Sequence, residues 1–305
     1  MKKRIILIIL LVLVLGLIIG SYFIFFQKNT RKSAEFPLNL DLGFDQVQDQ
    51  QWLGLLPVVE SDPDLSPSEN FIEEGSLVFS SENGLRGVNA KMRIQPGSFF
   101  HIRLKVNSEN LCLYAGLFSP IEGGEKRINL AGCPYDVFQM QAINTFQGDQ
   151  DNTILPNNGL VLLTPGQWFD FILWINESGD QVYYFASVPE DPEQFFYGGA
   201  ALPEDWRQDS WNISFGGFFG GEENSSNKSM SIDFLRYGYG QVTDYLYSQV
   251  PAYSHHHSEV DAFLKSNTLP LLGFEGDQEN LTNEIQEVTE VASSQTENPA
   301  ETEPD

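Results

Sequence analysis

Aromatic rings, amides and a guanidinium group recur in short β-like runs of this sequence, and their chemistry suits ligand binding. An aromatic ring can pack on the C–H face of a sugar, while fixed polar groups can hydrogen-bond its hydroxyls. The candidate ligand-binding residues are Arg103, Tyr114, Gln139, Gln141, Trp168, Trp174 and Tyr183. Each also has a structural interpretation, because a Trp in a β-sandwich is often packed and an Arg on a strand is often solvated. The hypothesis therefore requires several of them to meet on one surface.

Catalytic signatures are scarce by comparison. The sequence has no Gly-x-Ser-x-Gly motif, and His101 is the only histidine in the β-like part of the chain. The sequence therefore offers few residues from which a Ser-His-Asp triad could form. The chain favours binding over catalysis, and no catalytic residue is predicted.

The elements that must position these residues are predicted to be β-strands. From Phe36 to Tyr247, short runs rich in β-branched and aromatic residues are broken by Gly, Pro, Asn and Asp. The run Phe100–Val106 alternates apolar and polar residues, as a strand with one buried face does. Trp168–Ile175 is apolar on both faces apart from Asp170, which indicates a central strand covered by two layers. The pattern predicts an all-β, two-sheet jelly-roll sandwich.

Two cysteines, Cys112 and Cys133, flank a segment with turn-forming residues that could close a hairpin. In an oxidising compartment we expect one disulfide between them, and two buried free thiols are the alternative. No CxxC pair is present, which excludes a zinc ribbon or a thioredoxin-like centre.

The first part of the chain indicates a membrane anchor. Ile5–Phe26 is an apolar run of 22 residues, and a helix needs about 20 to cross a bilayer. We expect a single-pass signal anchor in contact with membrane lipid, with the bulk of the chain extracytoplasmic. A cleaved signal peptide is the alternative, although its apolar core is normally shorter.

The charge of the chain excludes one class of partner. It has 42 Asp and Glu against 17 Lys and Arg, for a net charge of −25. Nucleic acid is not expected as a partner, because such a surface repels a polyphosphate. The predicted organisation is a cytoplasmic stub (1–4), the anchor (5–26), a stalk (27–35), the sandwich (36–247), a C-terminal extension (248–274) and a disordered acidic tail (275–305).

The order of motifs resembles the concanavalin A-like lectin/glucanase superfamily, which includes laminin-G-like and glucanase-like jelly rolls. The resemblance covers about two-thirds of the chain, and Gly166–Asn176 includes a Gly-x-Trp entry into a central strand. The motifs, in chain order, are Phe44-Asp45 with Trp52, Gly75–Phe79, Gly166–Asn176 and Ser231–Gly238.

The resemblance implies a concave sheet that in many members holds a glycan. Catalytic members carry a Glu-x-Asp-x-x-Glu strand, since retaining hydrolysis needs two carboxylates about 5–5.5 Å apart. This chain lacks that motif, and Asp136–Gln141 offers amides instead. The resemblance also implies a structural calcium ion at Asp45 and Asp233 as the one candidate cofactor. We expect a non-catalytic module that binds a glycan or a surface protein, with a carbohydrate-active enzyme and a structural or assembly protein as alternatives.

Overall fold

The computed structural model describes residues 38–45, 47–57, 71–80, 85–218, 228–240, 242–266 and 268–272. They belong to one compact unit that begins at Leu38. Most of this unit consists of β-strands, as the alternation of apolar and polar residues predicts.

Sixteen strands are present in the described ranges and form one hydrogen-bonded path, which the single residue pair between β4 and β5 divides into two sheets. Sheet 1 contains β2 (Leu53–Pro57), β5 (Leu85–Ile94), β7 (Cys112–Ile121), β8 (Gly124–Gly132), β9 (Gln139–Phe146), β10 (Asp149–Leu155) and β15 (Trp211–Phe218). Sheet 2 contains β1 (Leu38–Leu42), β3 (Ile72–Glu73), β4 (Ser76–Ser80), β6 (Ser98–Val106), β11 (Asn157–Leu160), β12 (Trp168–Ile175), β13 (Gln181–Val188), β14 (Asp191–Ala201) and β16 (Ser229–Tyr239).

Neighbouring strands are antiparallel, and their order requires repeated crossing between the sheets. Sheet 1 has the order β10-β9-β8-β7-β15-β5, with β2 paired to β5. Sheet 2 has the order β4-β16-β6-β12-β13-β14-β11, with β1 paired to β16 and β3 to β4. One residue pair, Ser80 with Leu85, joins β4 to β5. Because strands such as β7 and β15 are adjacent in space but distant in sequence, the connections are those of a jelly roll.

Apolar side chains from both sheets form one core between them. Every second residue of β12 enters this core, from Phe169 to Ile175. Rings from the two sheets are close to each other: the centroids of Phe79 and Phe215 are 6.1 Å apart. Burial of apolar surface at about 25 cal/mol per Å² is the main force that holds such layers together. The predicted two-sheet sandwich is confirmed.

Two short helices lie among the strands, and two longer helices follow the last strand. The sandwich includes a 3-10 helix (Val47–Trp52) and α1 (Glu204–Arg207), and it is followed by α2 (Val242–Gln249) and α3 (Tyr253–Lys265). Both α2 and α3 lie on the outer face of sheet 2. Ring centroids are 4.4 Å apart between Phe99 and Tyr245 of α2, and 6.0 Å apart between Tyr183 and Phe263 of α3.

Several predicted segments lie outside the described residues. They are the apolar run Ile5–Phe26, the stalk 27–35 and the acidic tail 275–305. Within the described stretches between 38 and 272, no helix combines the length and the apolar character that crossing a membrane requires. The anchor and the tail stay predictions.

Candidate functional site

A row of polar and small residues runs across the strands of sheet 1 on its outer face. In order of pairing it consists of Asn89, Ser214, Gly116, Asn129 and Gln141, on β5, β15, β7, β8 and β9. We call it the amide row. Its members alternate along their strands with core residues, so they face away from the core. Since neighbouring strands are about 4.8 Å apart, the row spans about 19 Å.

Two further rows flank the amide row on the same face. The first, the tyrosine row, consists of Gly87, Gly216, Tyr114, Ala131 and Gln139. The second, the arginine row, consists of Arg93, Asn212, Phe118, Arg127 and Ile143. Together the three rows present amides, a serine hydroxyl, a phenol, an aromatic ring and guanidinium groups. None of their members carries a carboxylate.

Tyr114 lies over two glycines of the neighbouring strands. A Cβ atom would come within 2.9 Å of the Tyr114 hydroxyl at Gly87, and within 3.0 Å of it at Gly216. Glycine at both positions therefore makes room for the phenol. Burial raises the pKa of Tyr114, against the opposing charges of Arg127 and Arg86. The phenol is thus a neutral, fixed group at the centre of this face.

Two amide-bearing residues of this face have carboxamide oxygens that accept no hydrogen bond within the described part of the protein: Asn89 and Asn129. Asn129 is only 5% exposed, and its Nδ2 donates a long hydrogen bond of 3.5 Å to the carbonyl of Leu130. A buried acceptor without a donor costs about 1–3 kcal/mol. The Asn129 oxygen is therefore a buried acceptor without a donor among the described residues, in the amide row.

Arg127 lies beside both aromatic side chains of this face. Its guanidinium carbon is 5.5 Å from the ring centroid of Phe118 and 6.0 Å from that of Tyr114. Its Nε lies 2.6 Å from Oε1 of Glu125, an ion pair without an aligned hydrogen bond. About a third of the side chain, 31%, is exposed. The guanidinium is thus held by packing and charge, and part of it reaches solvent.

The outer face of sheet 2 holds a buried charged network beneath α2. Asp170 accepts hydrogen bonds from Arg103 Nε at 2.7 Å and from Arg103 Nη2 at 3.1 Å. Nε2 of His101 lies 3.3 Å from Asp170 Oδ1, and its Nδ1 is 2.7 Å from the hydroxyl of Tyr245. The network connects β6 and β12 with α2.

The protonation states of this network follow from burial and from the nearby charges. Burial lowers the pKa of His101, although Asp170 opposes this shift. Burial alone would raise the pKa of Asp170, but His101 and Arg103 hold it below its usual value. His101, Asp170 and Tyr245 are fully buried, so a Tyr-His-Asp chain that could resemble a catalytic relay is closed to substrate. It acts as the structural attachment of α2.

The structure divides the predicted ligand-binding residues between two surfaces. Sheet 1 presents Tyr114, Gln139 and Gln141, and sheet 2 presents Arg103, Trp168, Trp174 and Tyr183. The seven candidates therefore do not share one surface: three lie on the outer face of sheet 1 and four on the outer face of sheet 2. The reason is that alternation assigns a residue to a side of its strand but does not say which sheet the strand joins.

The aromatic residues of the sheet 2 group have partners within the protein. Trp174 stacks on Tyr183 with ring centroids 4.9 Å apart, and Tyr183 in turn contacts Phe263 of α3. Nζ of Lys105 lies 4.4 Å from the ring centroid of Trp168. These contacts favour the structural interpretation of the three rings. Nε1 of Trp174 is a buried donor without an acceptor among the described residues.

The predicted calcium ligands have surroundings that differ from those of a cation site. Oδ2 of Asp233 lies 3.6 Å from Nη1 of Arg103, and the carboxylate of Asp45 lies near Gly43 and Gly75. Among the residues whose positions are described, no group of three or more His, Cys, Asp or Glu could hold a metal. Since a guanidinium beside Asp233 repels a cation, the site fits calcium poorly. Calcium at this pair stays a prediction.

Cys112, at the start of β7, and Cys133, just after β8, are joined by a disulfide. The antiparallel pairing of these strands places Leu113 opposite Gly132, which brings the cysteines side by side. The bond closes one end of the hairpin that carries Tyr114 and Asn129.

Sequence reasoning missed several residues of the three rows. Asn89, Asn129 and Ser214 each sit between two apolar core residues, a pattern that marks an outward position on a strand. That signal was readable in the sequence. What was not readable is the register that aligns residues from β5, β15 and β8, because these strands are distant in sequence.

No protein-family model and no curated protein matches the chain. Three solved structures illustrate what it is similar to. One is described with endo-acting O-glycanases of the human gut microbiota that initiate mucin breakdown (13% identity, 67% of this chain and 100% of that one, TM-score 0.46). Another is an immunostimulatory antigen and pseudo β-1,3-glucanase of Mycobacterium tuberculosis (15%, 67% and 99%, 0.44). The third is a non-specific endo-β-1,3(4)-glucanase of glycoside hydrolase family 16 (11%, 67% and 95%, 0.47).

At these identities and TM-scores, the likeness assigns no residue and no activity to the chain.

Proposed function

We propose that this chain is a membrane-anchored, extracytoplasmic module that binds carbohydrate without cleaving it, on the outer face of sheet 1. The observation that carries the proposal is the buried carboxamide oxygen of Asn129, which has no donor within the described ranges of the chain and lies in a row with other amides. Tyr114 stands in the adjacent row.

The chemistry of the three rows suits a sugar. A sugar hydroxyl both donates and accepts hydrogen bonds, and the side chains of Asn89, Asn129 and Gln141 do the same. The rings of Tyr114 and Phe118 offer apolar faces for C–H groups. The amide row spans about 19 Å, which is long enough for several linked sugar rings.

Binding without hydrolysis is supported by the kind of polar group present. A retaining or inverting glycosidase needs two carboxyl groups, and the three rows offer amides, hydroxyls and guanidinium groups. None of these can serve as both the nucleophile and the acid. A glycosidase built on other residues is the alternative, and a reducing-sugar assay distinguishes it.

Attachment to a membrane is supported by the apolar run Ile5–Phe26. An extracytoplasmic location is supported by the disulfide between Cys112 and Cys133, since such bonds persist in oxidising compartments. In cells that express the chain, it should stay in the membrane fraction after carbonate extraction, and protease added to intact cells should digest the domain. Release by carbonate would contradict the anchor.

The direct test is a glycan array with the full-length chain in mild detergent, followed by calorimetry on the best ligand. Asn129→Leu keeps the size of the side chain and removes a buried oxygen without a partner, so the protein should stay as stable. Its affinity should fall about tenfold or more, because ligand hydroxyls lose their partner.

Trp168→Ala is the matched control on the outer face of sheet 2, and it should leave glycan affinity unchanged. Loss of binding in this variant with full binding in Asn129→Leu would move the site to sheet 2. If no glycan binds, the chain is better explained as a structural or assembly protein that uses the sandwich for protein contacts.

A further inference from the structure

Two arginines lie in the arginine row on the outer face of sheet 1. The guanidinium carbon of Arg127 is 6.0 Å from the ring centroid of Tyr114 and 5.5 Å from that of Phe118. Arg93 lies in the same row opposite Asn212, and its side chain is exposed. Two positive charges thus lie in the row beside the amides of the proposed binding face.

This grouping contrasts with the charge of the whole chain. The chain has 42 acidic and 17 basic residues, yet the members of the three rows carry no Asp or Glu. Glu125, beside the arginine row, is the acidic partner that Arg127 has on this face of the described protein. Because the net charge of the chain repels negatively charged ligands, such a ligand can bind only where positive side chains are concentrated, as they are beside these amides.

The geometry suits an anionic group on a sugar. A guanidinium presents a planar fork of donors that fits a carboxylate or a sulfate in a bidentate manner. Amides beside it can hydrogen-bond hydroxyls, so the two kinds of group together match a sugar unit that carries both. Phosphate chains of nucleic acid lack the hydroxyl pattern of a polysaccharide that the amides would bind.

We propose that the ligand is an acidic polysaccharide whose carboxylate or sulfate groups are bound by Arg127 while its hydroxyls are bound by the amide row. This inference rests on the proposed function and adds the chemical class of the ligand.

The test uses pairs of polysaccharides that differ only in charge. Polygalacturonate and its methyl ester compare a carboxylate with a neutral group, and dextran sulfate and dextran do the same for sulfate. The full-length chain should bind at least one charged member about tenfold more tightly than its neutral counterpart. Polyglutamate, which has charge but no sugar, should bind weakly.

Substitutions at Arg127 and at Glu125 should move the affinity for the charged polysaccharide in opposite directions. Arg127→Gln should remove the preference for the charged polysaccharide, and Arg127→Lys should restore only part of it because the fork is lost. Glu125→Gln leaves Arg127 intact and removes its competitor, so the affinity for the charged polysaccharide should rise about two- to fivefold. The matched controls are Lys105→Gln and Glu193→Gln, which remove one positive and one negative charge on sheet 2. Neither should change the affinity for the charged polysaccharide comparably.

The outcomes separate the two proposals. Binding of the neutral polysaccharides alone, or equal binding of both members of each pair, overturns the acidic-ligand inference and leaves carbohydrate binding in place. Polyglutamate binding as tightly as the charged polysaccharides overturns it as well, because charge alone would then suffice. Binding of no polysaccharide overturns the proposed function itself. A destabilised Arg127→Gln protein would leave Glu125→Gln as the deciding variant.

Discussion

The substitution Asp170→Asn tests whether the network beneath α2 is a structural attachment. Asp170 is fully buried and accepts two hydrogen bonds from Arg103. An asparagine keeps one acceptor oxygen, but it places an NH₂ donor against the donors of the guanidinium. Arg103 then loses its buried charged partner and keeps only the exposed Asp233, while His101 loses the carboxylate beside its Nε2.

The expected loss follows from burial. Removing one partner of a buried ion pair costs about 3–5 kcal/mol. The lower end applies here, because Arg103 is 27% exposed and can be partly rehydrated. We therefore expect a loss of about 3 kcal/mol in the free energy of unfolding. For a domain of this size each kcal/mol lowers Tm by about 2–4 °C, so Tm should fall by about 6–12 °C.

The assay is urea and thermal unfolding followed by circular dichroism. Asp233→Asn is the matched control, since Asp233 also faces Arg103, at 3.6 Å, but is 40% exposed. Its loss should stay within about 1 kcal/mol. Equal small losses in both variants would refute the reasoning, because the buried carboxylate would then contribute no more than a surface one.

Three further predictions concern pH, the disulfide and the glycines under Tyr114. The pKa of His101 is lowered by burial, so the unfolded chain binds its proton more readily; stability should fall as pH drops below about 6.5, and His101→Gln should reduce that slope in urea titrations at pH 5–7. Reduction of the Cys112–Cys133 bond, which closes a loop with a sequence separation of 21, should cost about 3 kcal/mol in the free energy of unfolding, and an unchanged urea midpoint would contradict this. Gly216→Ala places a Cβ 2.4 Å from a backbone oxygen and should lower the free energy of unfolding by about 2 kcal/mol or more. Gly54→Ala is the control: its Cβ would lie 3.4 Å from the nearest atom, and the loss in the same assay should be less than half as large.

The architecture was predictable from local patterns. The run Trp168–Ile175 is apolar on both faces and was expected to lie between two layers; the structure places it between the core and the helices that cover sheet 2. Alternation in Phe100–Val106 identified another strand of the same sheet. Such patterns depend on neighbours in sequence, which is why they were readable.

The candidate site was predictable only in part. The chemistry of Tyr114, Gln139 and Gln141 identifies them in the sequence, and all three lie on the face proposed to bind the ligand. Asn129 and Asn89 cannot be identified in this way, because their importance arises from register between distant strands and from the absence of a hydrogen-bond donor in the described structure. Neither property is encoded in a local run of residues.

The composition of the two outer faces explains why one is covered and the other is proposed to bind. The outer face of sheet 2 carries large apolar residues such as Phe99, Ile172 and Phe185, all fully buried. Such a face would be costly in water, and α2 and α3 remove it from solvent. The outer face of sheet 1 carries mostly amides, hydroxyls, glycines and guanidinium groups, with few apolar side chains such as Phe118 and Ile143, so it needs less apolar cover. Deleting 242–272 should therefore expose the apolar outer face of sheet 2 and cause aggregation through it. Any molecules that remain folded should still bind the ligand on sheet 1.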